Sequence, residues 1–176
     1  ETVLKELSRL RFDLVDMLIA CKLRVKATLD KAFPEYELHF SDIFGKTSKS
    51  LLENYPSPED LLELGLEELA SFFHRHSRGR LGFWKASELQ KAAMETFGMS
   101  FGKFAHSIKL RVLVQIISFL EEKIKQITQA IEEILERADH PLNSIPGIGT
   151  VLAAAILGEI GDIRSFSNLS KFVAFA

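Results

Sequence analysis

Residues 1–33 contain neither glycine nor proline and place apolar side chains at Leu4, Leu7, Leu14, Leu18, Cys21 and Val25, in steps of three, four or their sum. That spacing predicts one long amphipathic helix. Pro34 ends it, because proline lacks the backbone donor and biases the preceding residue away from helical geometry. From about Ser100 to Ala138 a second periodic run carries Leu113, Ile117, Leu120, Ile124, Ile127, Ile131, Ile134 and Ala138. Its alternation of fours and threes is a heptad seam. Charged residues flank it at Glu121, Glu122, Lys123, Lys125, Glu132, Glu133, Glu136 and Arg137. Helices of this length, about 45–50 Å at 1.5 Å per residue, cannot cover their apolar stripes alone. They are expected to pack on each other or on a second copy, and the seam residues Leu113 to Ile134 are candidates for oligomerisation.

The stretch between the long helices is punctuated for short ones. Ser57-Pro58-Glu59-Asp60 has the composition of an N-cap with proline and acids in the first turn, and Gly65 and Gly98 stand where helices end. Helices are predicted near 48–54, 58–64, 66–75 and 83–97. No segment alternates convincingly as a strand, so the predicted fold is all-α. The expected organisation is a long stalk helix (1–33), a small helical knob (34–99), a long heptad helix giving a coiled-coil-like stalk (100–139), and a partial helix-hairpin-helix region (140–176).

Chemistry enters at Pro146-Gly147-Ile148-Gly149-Thr150, followed by an apolar helix from Val151 to Ile160. The glycines allow close backbone approach, and the next helix opens with unpaired N–H groups at its positive end, where a phosphate can sit. A tight turn between two core helices explains the same residues without a ligand, and both readings stay open. The second candidate is the run from Arg75 to Lys85. Arg75, Arg78, Arg80 and Lys85 supply cations, Phe83 and Trp84 supply stacking surfaces for unpaired bases, and the rival reading is a solvated loop with both aromatics packed inward.

Charge sharpens this picture. The 176 residues sum to a formal charge of −2, but residues 35–70 hold nine acids against two bases and residues 74–111 hold eight bases against two acids. A uniformly basic nucleic-acid-coating protein is excluded, whereas a local polyanion site is not. Hydrophobic residues at 47% and charged ones at 26% exclude a disordered or collagenous chain. Cys21 is the single cysteine and cannot form an internal disulfide, which fits a reducing compartment. No apolar run is long enough for a membrane span and no signal peptide opens the chain, so a cytoplasmic, bacterial location without membrane attachment is expected. Asp13 and Asp16 sit beside Arg9 and Arg11 as an ordinary charged helix face, His74 and His76 lack a third metal ligand, and Glu159 and Asp162 favour structural or capping roles. The start without Met and the stop within Phe-Val-Ala-Phe-Ala read as an internal piece of a longer protein.

The run Ser144-Ile-Pro-Gly-Ile-Gly-Thr, with its alanine-rich helix, Glu159-Ile-Gly-Asp162, Phe166 and the terminal Lys-Phe-Val-Ala-Phe-Ala, resembles the start of the C-terminal domain of bacterial insertion-sequence transposases of the DEDD type, the bridge-RNA-guided recombinases. Upstream, Arg9-Leu-Arg-Phe-Asp-Leu-Val, Phe33-Pro-Glu, Leu51-Leu-Glu-Asn-Tyr-Pro-Ser-Pro-Glu, Ser77-Arg-Gly-Arg and Lys85-Ala are similar to the family's middle region. The resemblance implies a parent protein with a RuvC-like domain whose four acids bind Mg2+ or a similar divalent metal, a helical region, and a nucleophilic serine. None of those catalytic groups maps onto a position here. For this chain it implies a scaffold, no cofactor of its own, and DNA, structured guide RNA and further copies of itself as partners. A helix-hairpin-helix accessory module of repair or recombination and a purely structural coiled-coil dimer are the alternatives. Four spaced acids upstream and a serine downstream would decide for the transposase.

Overall fold

The computed structural model describes residues 2–98, 102–138 and 147–160. Among these the protein is all-α: α1 Thr2–Ala32, a 3-10 turn Pro34–His39, α2 Lys46–Asn54, α3 Pro58–Leu64, α4 Leu66–His76, α5 Phe83–Glu95, α6 Lys103–Ala138 and α7 Thr150–Ile160. No described helix is long and apolar enough to cross a membrane.

Packing divides the chain differently from the sequence expectation of stalk and knob. One unit comprises residues 18–119 and the other residues 1–17 with 120–176, so both long helices contribute to each. In the 18–119 unit the short helices begin and end where local chemistry demands. The Ser57 hydroxyl accepts from the Asp60 N–H at 3.1 Å while the Asp60 carboxylate accepts from the Ser57 N–H at 3.0 Å, a reciprocal cap with Pro58 in the first turn. Gly65, at φ 81°, separates α3 from α4. The core gathers Val25, Leu29 and Phe33 with Tyr36, Leu51, Leu52, Leu61, Leu69, Phe72, Phe73 and Leu89, all buried. Gln90 reaches across to donate to the Leu61 carbonyl at 3.0 Å, satisfying a buried amide.

The second unit is built on aliphatic and small side chains. Leu4 of α1, Ile131 and Leu135 of α6, and Ala153 and Ala154 of α7 form its buried cluster, with Leu7, Ile127, Ile134, Ile148 and Leu157 packed against it. Gly158 brings α7 onto α1 so closely that a Cβ there would lie 2.7 Å from the Lys5 nitrogen and 2.8 Å from its Cα.

The heptad seam closes inside one chain. Ile117 and Ile131 have no exposed surface, and Leu113 and Leu120 are buried. Ile124, Ile127 and Ile134 are half-buried, while Leu135, outside the seam, is buried in place of Ile134. A straight α-helix drifts about 20° per heptad relative to a 3.5-residue repeat, which carries the core-facing side from the 127/134 register to 131/135. The seam residues are therefore occupied by intramolecular packing and offer little surface for a second copy.

Candidate nucleic-acid interface

The basic loop begins where α4 stops. The Ser77 N–H donates to Phe73 O at 2.9 Å, and the Gly79 N–H reaches five residues back to His74 O at 2.8 Å. That bond pattern requires a left-handed residue between them, usually glycine. Here it is Arg78, at φ 58°. For a residue with a Cβ this conformation costs about 1–2 kcal/mol. The turn is then locked: Ser77 Oγ accepts the Leu81 N–H at 2.7 Å, and Thr47 Oγ1 donates to His76 O at 3.0 Å, tying α2 to the end of α4. The His76 ring stacks on Phe72 at 4.0 Å.

This arrangement opens a groove of about 440 Å³ lined by Lys46, Thr47, His76, Ser77, Arg78 and Arg80, among others. Arg78, Arg80 and Lys46 are exposed, and among the described residues no ion pair engages any of the three. Lys46 was not anticipated. It lies in the acid-rich stretch, and the packing of α2 on α4, tied by the Thr47–His76 bond, brings it beside the arginines. Phe83 and Trp84, in the first turn of α5, are 60% and 66% exposed, so the aromatic surfaces face solvent rather than the core.

Two other predicted cations stand apart. Arg75 is exposed but lines a separate groove of about 500 Å³ with Glu67, Glu68, Tyr55 and Ser71, where the acids oppose an anion. Lys85 corrects the sequence expectation more sharply. Its side chain is only 9% exposed, its Nζ lies 3.5 Å from Glu88, and it sits over the rings of Phe40 and Trp84 at 5.6 and 5.4 Å. Lys85 shares the inward face of α5 with Ala86, Leu89 and Ala93, so it is withdrawn from any phosphate. Beside it, burial and then the Lys85 charge hold the His39 imidazole below its ordinary pKa.

Of the hairpin, Pro146 lies outside the described residues. Gly147 is left-handed at φ 92°, Ile148 packs into the aliphatic cluster, and Gly149 O accepts the Ala153 N–H at 2.9 Å as α7 starts at Thr150. A Cβ on Gly149 would meet open space, leaving its backbone approachable. The same groove, about 410 Å³, is lined by Glu132 and Glu136 of α6. Carboxylates near a helix N-terminus already answer its positive end, and they compete with an incoming phosphate. Glu159 takes the structural role expected for it: it pairs with Lys5 at 3.0 Å and Arg9 at 2.9 Å, and those two cations lower its pKa. Asp162 lies outside the described residues.

Comparison with known proteins bears on the whole chain. Residues 139–176 match the family model described as transposase, IS116/IS110/IS902 family, and the structure describes 147–160 of them. Over 99% of its length the chain is 23% identical to a Streptomyces clavuligerus protein named insertion element IS116 uncharacterized 44.8 kDa protein, of which it covers 44%. The chain thus spans less than half of that relative. No solved structure matches. Both matches are to insertion-sequence proteins: the one at the hairpin end to the transposase family of IS116, IS110 and IS902, the other, along the entire sequence, to a protein of the element IS116.

Proposed function

We propose that this chain is a non-catalytic middle portion of a DNA transposase that holds nucleic acid by its backbone while chemistry is carried out by groups elsewhere in the longer protein. The observation that carries the reading is the Arg78–Arg80–Lys46 groove: two exposed cations on a turn locked by hydrogen bonds and a third at the start of α2, next to exposed Phe83 and Trp84. Cations in such a groove neutralise phosphates, and aromatic faces accept unpaired bases without reading their identity. DNA and structured guide RNA both present that chemistry. The α7 N-terminus at Gly149–Thr150 is a weaker, second contact, because Glu132 and Glu136 share its groove. On this reading the divalent metal serves acids outside this chain.

Fluorescence anisotropy over a salt series tests the proposal, with duplex DNA and a structured RNA as probes. Three phosphate contacts give a slope of log K against log salt near −2 to −3, at about 0.7–0.9 per contact. Arg78→Ala and Arg80→Ala should each flatten the slope by roughly one contact. Gly147→Val should weaken binding with little change in slope. Absence of binding to either probe at low salt, or a slope indifferent to both arginines, leaves the chain a scaffold only.

A further inference from the structure

Lys85 is a buried charge that the groove does not use. It lies on the inward face of α5 with Ala86, Leu89 and Ala93, where apolar side chains are the rule. Taking an ammonium out of water is costly unless it is paired and fully hydrogen-bonded. Its carboxylate partner, Glu88, stands 3.5 Å away, at the outer limit of a hydrogen bond, and is itself 42% exposed. A methionine would fill the same space without that cost, so packing alone does not account for a lysine here.

Besides Glu88, the ammonium faces two rings. Nζ lies 5.6 Å from the centroid of Phe40 and 5.4 Å from that of Trp84. Both distances fall within the range, about 6 Å, over which the negative face of an aromatic ring attracts a cation. The rings differ in situation. Phe40 belongs to the core, 4.9 Å from Tyr36 and 6.3 Å from Phe73. Trp84 is largely exposed, in the first turn of α5. Lys85 therefore ties a solvent-facing indole to a ring fixed in the core. Phe83 is exposed to a similar degree, but among the described residues no cation stands over its ring.

The indole is also placed along the chain. Ser77 Oγ holds the Leu81 N–H at 2.7 Å, so the segment entering α5 leaves the same locked turn that carries Arg78 and Arg80. A tryptophan free to rotate loses rotamer freedom when a base stacks on it. One already pinned loses less, and binding gains accordingly.

From this geometry we infer that Trp84 is the base-stacking platform of the groove and Lys85 its positioning residue, so that the site takes a strand with unpaired bases in preference to a duplex. The inference rests on the nucleic-acid reading of the groove. It adds what phosphate contacts cannot supply, a distinction between strands that offer base faces and strands that do not. Single strands of DNA and of RNA share this chemistry.

Trp84 is the single tryptophan of the sequence, so its emission reports this position alone. Four probes of equal length separate the contributions: a thymidine DNA strand, a uridine RNA strand, an abasic strand that keeps the phosphates, and a DNA duplex. A base-bearing strand should quench the emission, and which of the two does so identifies the sugar the site accepts. The abasic strand and the duplex should bind with the arginine-dependent salt slope and leave the emission unchanged. Trp84→Ala should weaken binding of the base-bearing strand by about 5- to 150-fold, the equivalent of one stacked base, and leave the abasic strand as it was. Lys85→Met should match or exceed the parent's denaturation midpoint, yet lose the quench and most of the preference for bases. Lys85→Arg should restore both, because a guanidinium also lies over aromatic rings. A Lys85→Met variant that unfolds earlier, or that still stacks, overturns the positioning role. Base-bearing and abasic strands that bind alike, without a quench, overturn the platform and leave the groove reading intact. If no probe binds at low salt, the groove reading falls and the platform with it.

Discussion

In the 18–119 unit, aromatic rings form a nearly continuous chain: Phe33 to Tyr36 at 5.7 Å, Tyr36 to Phe40 at 4.9 Å, Phe40 to Phe73 at 6.3 Å, Phe73 to Phe72 at 6.2 Å, and Phe72 to Tyr55 at 5.7 Å. The other unit, among the described residues, holds no aromatic side chain in its buried cluster. It relies on leucine, isoleucine and alanine, on the glycine at which α7 meets the α1 backbone, and on an exposed clamp of Glu159 with Lys5 and Arg9. The first unit is stabilised by side-chain volume, and the second by the absence of it at one point. The two should therefore fail under different insults.

The largest effect is expected from volume loss. Phe73 has no exposed surface, and Phe73→Ala should destabilise the 18–119 unit by about 3–5 kcal/mol, read as a shift in the denaturant midpoint. Adding volume to the other unit comes next. The atoms facing Gly158 are backbone and cannot rotate aside, so Gly158→Ala should cost about 1–3 kcal/mol despite alanine's better helix propensity. Hydrogen exchange should show faster opening of α7 while amides of α4 and α5 keep their protection. A neutral Gly158→Ala, or a loss of protection spread evenly over both units, would erase the contrast.

The smallest effects lie on the pH axis and differ in sign. Burial raises the Tyr36 pKa far above its ordinary value, with the Ser48 hydrogen bond offsetting a little. A raised folded pKa means that this contribution is intact below about pH 10, the unfolded tyrosine value, and declines as pH rises beyond it. Glu159 is lowered by Arg9 and Lys5, so its contribution is present above the ordinary carboxylate range and is lost as pH falls through the folded value. Tyr36→Phe should flatten the alkaline limb of stability, and Glu159→Gln should slightly flatten the acid limb, the latter weakly because the pair is exposed. Denaturation at a series of pH values separates the two limbs.

What the sequence disclosed follows the range of each interaction. Pro34, the Ser57–Asp60 cap and Gly65 act within a few residues, and the elements they bound, including α3 at 58–64, appear where the pattern placed them. The 3-10 turn Pro34–His39 was not legible, because it is held by Tyr36 reaching Ser48 and the neighbouring rings. The replacement of Ile134 by Leu135 depends on helix drift over several turns, which a list of apolar positions does not carry. In the candidate site the arginines were legible as charge, but the burial of Lys85 and the arrival of Lys46 depend on α5 and α2 packing against other elements. Nor does sequence single out Arg78 as the left-handed residue when a glycine stands next to it, also at positive φ.

That arginine has a consequence for laboratory evolution. A search rewarding heat tolerance alone would be drawn to glycine or asparagine at position 78, because either relaxes the backbone at little steric cost. Each such winner would discard one of the three groove cations. Thermal selection and selection for polyanion capture should thus pull this codon in opposite directions, so the residue that persists under each pressure reports which of the two the turn serves.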